Sequence, residues 1–109
     1  PLATGLDAGI KLAQNCKRSG KMPSLAILTD GKANIDLDGL PNREKALSDS
    51  VLVSAIGKKM DMKSVFIDCG KRPNNNLKEV ATSMGANYAS LPRTNATKIS
   101  NLVQANLGI

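Results

Sequence analysis

Residues 24 to 31 read SLAILTDG, an unbroken apolar run that ends on a hydroxyl, a carboxylate and a glycine. Short apolar runs without alternation are typical of strands buried on both faces, as the strands of parallel sheets are. We therefore predict a strand over residues 24–29 and a turn at Asp30 and Gly31. Asp30 has two interpretations at this point: a turn-forming residue, or an oxygen ligand that the strand delivers to a hard cation such as Mg²⁺.

Helical periodicity surrounds this strand. Apolar residues recur at three- to four-residue spacing over residues 2–18, which predicts a helix that stops near Ser19 and Gly20. Further helices are predicted over residues 43–59, over 76–84 with Gly85 as a C-terminal cap, and from 94 or 95 onward. Two more strands are predicted at 64–68 (SVFID) and 87–91 (NYASL). The predicted apolar side of the second helix holds Ala46, Leu47, Val51, Leu52, Val53, Ala55 and Ile56.

The alternation of helix and strand determines the predicted fold class. Helices between consecutive strands imply parallel pairing through crossover connections, so we predict a three-layer α/β/α, doubly wound, mostly parallel sheet. Residues 1–109 are enough for one domain at most. Three strands are few for such a sheet, and a helix precedes the first of them. We therefore expect further N-terminal strands in a longer polypeptide, with the first strand of this chain at an edge.

Composition and charge exclude several function classes. The chain holds 15 Lys and Arg against 9 Asp and Glu, for a net charge of +6. The basic residues are scattered near predicted element ends, and one Phe and one Tyr offer no stacking platform, so we expect no nucleic-acid role. No apolar run approaches the roughly 20 residues of a membrane span. The absence of His excludes a Ser-His-Asp triad and a His-ligated zinc within these residues, and we expect no catalytic residue.

The carboxyl ends of the predicted strands are where a ligand site is expected, because open parallel sheets bind ligands there. Two of the three strands end in an acid, Asp30 and Asp68. One carboxylate does not make a cation site, so further oxygen ligands would have to come from elsewhere. Lys71 and Arg72 follow the second strand, and we interpret them as a solvated basic loop because no P-loop motif is present.

Four blocks of the sequence resemble, in order and spacing, the C-terminal part of the D subunit of magnesium chelatase. They are PLATGLDAGIKLA (1–13), AILTDGKANIDLDG (26–39), VFIDCGKRP (65–73) and LKEVATSMGANYASLP (77–92). That family carries a von Willebrand A (integrin I-like) domain at its C-terminus. The resemblance covers essentially the whole chain and implies that residues 1–109 form the C-terminal half of such a domain.

The resemblance also implies a divalent cation, Mg²⁺ or another, in a site built from three loops. Asp30 in LTDG matches the Asp that one loop supplies, with Thr29, Gly31 and Asn34 around it. The Asp-x-Ser-x-Ser motif and a Thr ligand of the family would lie upstream of Pro1. The site is therefore expected to be partial here, without a stably bound cofactor. Asp68 matches no functional residue of the family.

By the same resemblance, the parent protein is a platform subunit in the ATP-dependent insertion of Mg²⁺ into protoporphyrin IX, for chlorophyll or bacteriochlorophyll synthesis. Its expected partners are the ATPase subunit and the porphyrin-binding large subunit, in the bacterial cytoplasm or the plastid stroma. The domain is expected to mediate metal-dependent docking and not to be catalytic by itself. One alternative is a stand-alone von Willebrand A protein-interaction module. A receiver-type signalling domain fits poorly, since the last strand is followed by Pro92 and Arg93 instead of ending in Lys.

Overall fold

The computed structural model describes residues 2–29, 43–91 and 96–108, in which helices and strands alternate. The predicted elements are present in the predicted order, with bounds that differ by at most two residues. They are α1 (Leu2–Arg18), β1 (Ser24–Thr29), α2 (Arg43–Lys58), β2 (Lys63–Asp68), α3 (Asn75–Met84), β3 (Asn87–Ser90) and α4 (Ala96–Leu107).

The three strands form one parallel sheet in the order β1-β2-β3. β1 pairs with β2 from Ser24 opposite Lys63 to Thr29 opposite Asp68. β2 pairs with β3 up to Asp68 opposite Ser90. The parallel sheet is thereby confirmed. Among the described strands β1 has a neighbour on one side only, as expected of an edge strand.

Helices cover both faces of the sheet, which confirms the three-layer α/β/α prediction. α1, α2 and α3 pack on one face, where the fully buried Phe66 is the largest core side chain. α4 packs on the other face, where Val65 and Ile67 of β2 contact it. On α4 the residues that make this second cluster are Ile99, Leu102, Val103 and Leu107.

Local chemistry fixes both ends of α3. The side chain of Asn74 accepts hydrogen bonds from the backbone N–H groups of Asn76 and Leu77, which would otherwise have no helical partner. At the other end Gly85 has φ 70°, a left-handed conformation that glycine adopts without steric cost. Its N–H closes the helix on the carbonyls of Ala81 and Thr82. The predicted glycine cap is therefore confirmed.

The prediction that β1 is buried on both faces is wrong for the described structure. Its residues alternate between exposed and half-buried, and the side chain of Leu28 is 51% exposed. β2 lies beneath α4 and is buried from Ser64 onward, whereas α4 makes fewer contacts with β1. The same kind of unalternating apolar run is therefore buried on both faces in β2 but exposed on one face in β1, at the edge of the described sheet.

The predicted apolar side of α2 is wrong in part. Leu52 and Ile56 are 63% and 49% exposed, and Ala55 is exposed as well, while Ala46 and Val53 are buried as predicted.

The face of α2 that packs against α1 and α3 carries small residues instead of Leu52 and Ile56. Ser50, Ser54 and Gly57 are buried on α2. A Cβ atom at Gly57 would lie 3.0 Å from Cδ1 of Ile10 and 3.5 Å from Cε of Met84. Close packing of α2 against α1 and α3 thus requires small side chains at the contact. α2 exposes apolar residues, but neither α2 nor any other helix in the described ranges is long and apolar enough to cross a bilayer.

Candidate functional site at the carboxyl edge of the sheet

Three oxygen-bearing side chains end the three strands in one row. Thr29 is paired with Asp68, and Asp68 with Ser90. Residues two apart on a strand share a face. Ile27 and Phe66 each lie two residues before a member of the row and pack in the core beneath α1–α3. Thr29, Asp68 and Ser90 therefore lie on that same face of the sheet, at its carboxyl edge.

Asp68 is fully buried at the centre of this row and is held by three hydrogen bonds. The Tyr88 hydroxyl donates to Oδ2 at 2.6 Å, and the Asn74 N–H donates to the same oxygen at 3.1 Å. The Gly70 N–H donates to Oδ1 at 2.9 Å. A buried carboxylate is costly unless it is hydrogen-bonded, and these three donors supply that compensation.

Tyr88 bridges the carboxylate and the loop that follows β2. Its hydroxyl also accepts a hydrogen bond from the Asn74 N–H at 3.2 Å. Burial, and next the hydrogen bond to Asp68, raises the pKa of Tyr88 above its ordinary value. The phenol therefore stays protonated and keeps donating. The Lys78 ammonium lies 5.5 Å from the centre of the ring, within cation–π range.

The network sets the path of the loop over residues 69–74. Two donors to Asp68, the N–H groups of Gly70 and Asn74, belong to this loop, and Asn74 also caps α3. The exposed Lys71 and Arg72 lie between these two fixed points, in agreement with the predicted solvated basic loop. Asp68 thus positions both the loop and the first turn of α3.

The predicted cation ligand is not among the residues described. Asp30, Gly31 and Asn34 all lie outside the described ranges, so their assignment stays a prediction. Thr29 is described; it is half-buried, and its carbonyl oxygen accepts the Cys69 N–H at 2.8 Å.

The described residues do not by themselves fit a divalent-cation site. Both oxygens of Asp68 already accept hydrogen bonds. Within residues 2–29, 43–91 and 96–108, no three side chains of His, Cys, Asp or Glu come together as a metal-binding group. A cation at this edge would therefore need Asp30 and ligands from outside the described residues.

Sequence reasoning gave Asp68 no role, whereas the structure makes it the anchor of the carboxyl edge. One local signal was present, since Asp readily accepts from the backbone N–H two residues ahead, here that of Gly70. The partner Tyr88 had no such signal. It is 20 residues away in the chain and meets Asp68 only because β2 and β3 pair in this register.

Comparison with known proteins gives two relatives of the same name. The chain is 38% identical over 107 residues to the magnesium-chelatase 60 kDa subunit of Rhodobacter capsulatus. It is 37% identical over 108 residues to the magnesium-chelatase 60 kDa subunit of Cereibacter sphaeroides. No protein-family model and no solved structure matches the chain.

These alignments cover 98% and 99% of the chain but 19% of each relative, so the chain spans about a fifth of their length. The resemblance predicted from the four sequence blocks is confirmed, and the chain is related over nearly its whole length to a segment of the magnesium-chelatase 60 kDa subunit.

Proposed function

We propose that this chain is a segment of a D-type platform subunit of magnesium chelatase, which takes part in the ATP-dependent insertion of Mg²⁺ into protoporphyrin IX. Mg²⁺ is a substrate of that reaction. The observation that carries the proposal is the 38% identity over 107 residues to a magnesium-chelatase subunit. The parallel α/β sheet supports it, because a von Willebrand A-like domain is built on such a sheet.

Within that subunit, the proposed role of the segment is docking. Asp30, the residue that follows β1 in the sequence, would contribute one ligand to a divalent cation, with Thr29, Gly31 and Asn34 around the site. The remaining ligands would come from residues upstream of Pro1. The docked partners would be the ATPase subunit and the porphyrin-binding large subunit. The Asp68–Tyr88 network supports this role indirectly, because its hydrogen bonds tie the neighbouring strand end to the loop that follows it.

Asp30→Ala in the full-length protein tests the docking role. The change removes one negative charge from the proposed cation site, so we expect binding to the partner subunits to weaken at least about tenfold when Mg²⁺ is present. Chelatase turnover should fall with it, while circular dichroism stays unchanged. Docking is measured separately from turnover, by calorimetry with and without a chelator, because Mg²⁺ is also the substrate.

Asp38→Ala is the matched control, since it removes the same charge from the same sequence stretch and matches no family ligand. It should dock normally. Equal docking by Asp30→Ala and Asp38→Ala would return Asp30 to a turn-forming role. If Asp30→Ala weakens docking to these partners but a chelator does not weaken docking of the unsubstituted protein, the docking does not depend on a metal and that part of the proposal is wrong. Normal turnover when the whole segment is deleted would favour a module that acts outside the chelatase.

A further inference from the structure

A cleft opens at the amino end of the sheet, opposite the carboxyl edge. It has a volume of about 390 Å³ and lies between the end of α1, the starts of β1 and β2, and the end of α4. Met60 and Leu107 are buried in its floor, and Met62 is half-buried beside them. Lys21, Lys63 and one acid, Asp61, are exposed at its rim. The cleft therefore combines an apolar floor with a rim on which the cationic side chains outnumber the single carboxylate.

The concave surface continues beyond this cleft. A second hollow of about 350 Å³ shares Lys17 and Met60 with it and extends along α1 past Gln14 and Arg18. Because they share these two residues, the two hollows form one groove along the end of α1.

Positive charge is concentrated at this end of the fold. This end is formed by residues 17–24, 58–63, 82–87 and 104–108, and Asp61 is the one carboxylate side chain in these ranges. The four helix C-termini here contribute roughly half a negative charge each. When the charge of Asp61 and the partial charges of the four helix C-termini are subtracted from the charge of the six cationic side chains, roughly three positive charges remain. Those cations are Lys17, Arg18, Lys21, Lys58, Lys59 and Lys63.

Lys21 and Lys63 present the charge that a ligand can reach. Lys17 already donates from Nζ to the Met60 carbonyl at 2.9 Å, which holds it against the wall of the cleft. Lys21 and Lys63 form no ion pair with any carboxylate of the described residues. Their ammonium groups are therefore available to the carboxylates of a ligand.

Met22 extends the apolar floor to the surface. Its side chain is 97% exposed beside the cleft. Methionine is flexible and polarizable, and it is common on surfaces that accept peptides of varied sequence. We infer that this groove binds an acidic peptide segment of a partner protein. One apolar side chain of that segment packs on Met60 and Leu107 while its carboxylates pair with Lys21 and Lys63.

The available chemistry favours a peptide over a nucleic acid. Phe66 is fully buried, and Tyr88 is engaged with Asp68 at the far end of the sheet. The chain has no other aromatic residue, so no ring at the groove can stack on a base. The cleft is near the lower end of the range of about 300–1,000 Å³ for ligand pockets, so it has room for an apolar side chain of a bound segment.

Fluorescence anisotropy with the full-length protein tests this binding. The probe is a short labelled peptide of Glu and Ser with one central Leu, compared with a Gln-for-Glu analogue, an Ala-for-Leu analogue and a single-stranded oligonucleotide. Lys21→Glu with Lys63→Glu should weaken binding of the acidic peptide about tenfold or more. Lys71→Glu with Arg72→Glu reverses the same charge at the other end of the sheet and should leave binding unchanged.

Met22→Ser tests the apolar contact in a variant that keeps its fold, because the residue is almost fully exposed. It should reduce the preference for the Leu peptide over the Ala peptide about threefold. Three results would overturn the inference: equal weakening by the two double variants, equal binding of the Gln peptide, or no measurable binding. Tighter binding of the oligonucleotide through Lys21 and Lys63 would also overturn it and assign the groove to nucleic acid.

Discussion

Tyr88→Phe removes a single oxygen atom from the network beneath the carboxyl edge. That oxygen donates to Asp68 at 2.6 Å and accepts from the Asn74 N–H at 3.2 Å. The ring and its packing against the core remain. A hydrogen bond to a charged group contributes about 1.5–3 kcal/mol, so local opening of the loop over residues 69–74 should become easier by about that amount.

Hydrogen exchange measures this loss where it occurs. The amides of Gly70 and Asn74 both donate to the Asp68 carboxylate, so they exchange only when the loop opens. A loss of about 1.5–3 kcal/mol corresponds to roughly tenfold to hundredfold faster exchange at these two positions. The measurement can be made in the full-length protein, by mass spectrometry on peptides that cover the loop.

Ser83→Ala is the control for this experiment. It also removes one hydroxyl, which donates a hydrogen bond to the Glu79 carbonyl on the exposed side of α3. Exchange at Gly70 and Asn74 should not respond to it. If Tyr88→Phe leaves these amides as slow as Ser83→Ala does, the phenol does not hold the loop and the reasoning fails.

Three further predictions concern stability. Burial and the hydrogen bond to Asp68 raise the pKa of Tyr88 above 10.0. Protonated Tyr88 therefore contributes fully to the free energy of unfolding below about pH 10, and this contribution is lost as pH rises through the raised pKa. Urea unfolding of the parent protein should show this loss of stability with pH, and Tyr88→Phe should not. Gly57→Leu should lower the free energy of unfolding by about 1–3 kcal/mol, because the new side chain forces Ile10 aside. Gly5→Ala has open space around it and should raise the free energy of unfolding by about 0.5–1 kcal/mol in the same assay. The reverse order of stabilities would refute the packing argument. Asn74→Ala should cost about 1 kcal/mol by removing the cap of α3, and an unchanged melting curve would contradict that role.

The order and type of the elements could be predicted because each is encoded locally. Hydrophobic periodicity marks the helices, apolar runs mark the strands, and Gly85 ends α3 at the predicted position. Alternation of the two types then implies a parallel sheet without any knowledge of contacts.

Burial of particular faces could not be predicted from the same signals. Leu28 and Leu52 are as apolar as core residues, yet they are 51% and 63% exposed. Their exposure depends on which neighbours cover β1 and on how closely α2 approaches α1. Gly57 determines that approach through its distance to Ile10, a contact between residues far apart in the sequence.

The candidate site also has one part that the sequence predicted and one part that only the structure shows. Asp30 was recognised by resemblance to a family, and its role as a ligand stays a prediction. The role of Asp68 follows from geometry, because Tyr88 reaches it only through the register of β2 and β3. A sequence motif can therefore suggest a ligand, while a buried anchor for the same edge becomes visible only once the strands are paired.

The length of β2 has an electrostatic consequence. Its six residues, Lys63–Asp68, separate the two ends of the sheet by roughly 17 to 20 Å. That distance is about twice the Debye length of roughly 8 Å at physiological salt, so solvent-exposed charges at the two ends are largely screened from each other by the dissolved ions. The lysine rim can therefore change its charge, by substitution or by acetylation, with little effect on the exposed Lys71 and Arg72 beside the carboxyl edge. The length of the strand thus lets the exposed charges of the two surfaces vary independently.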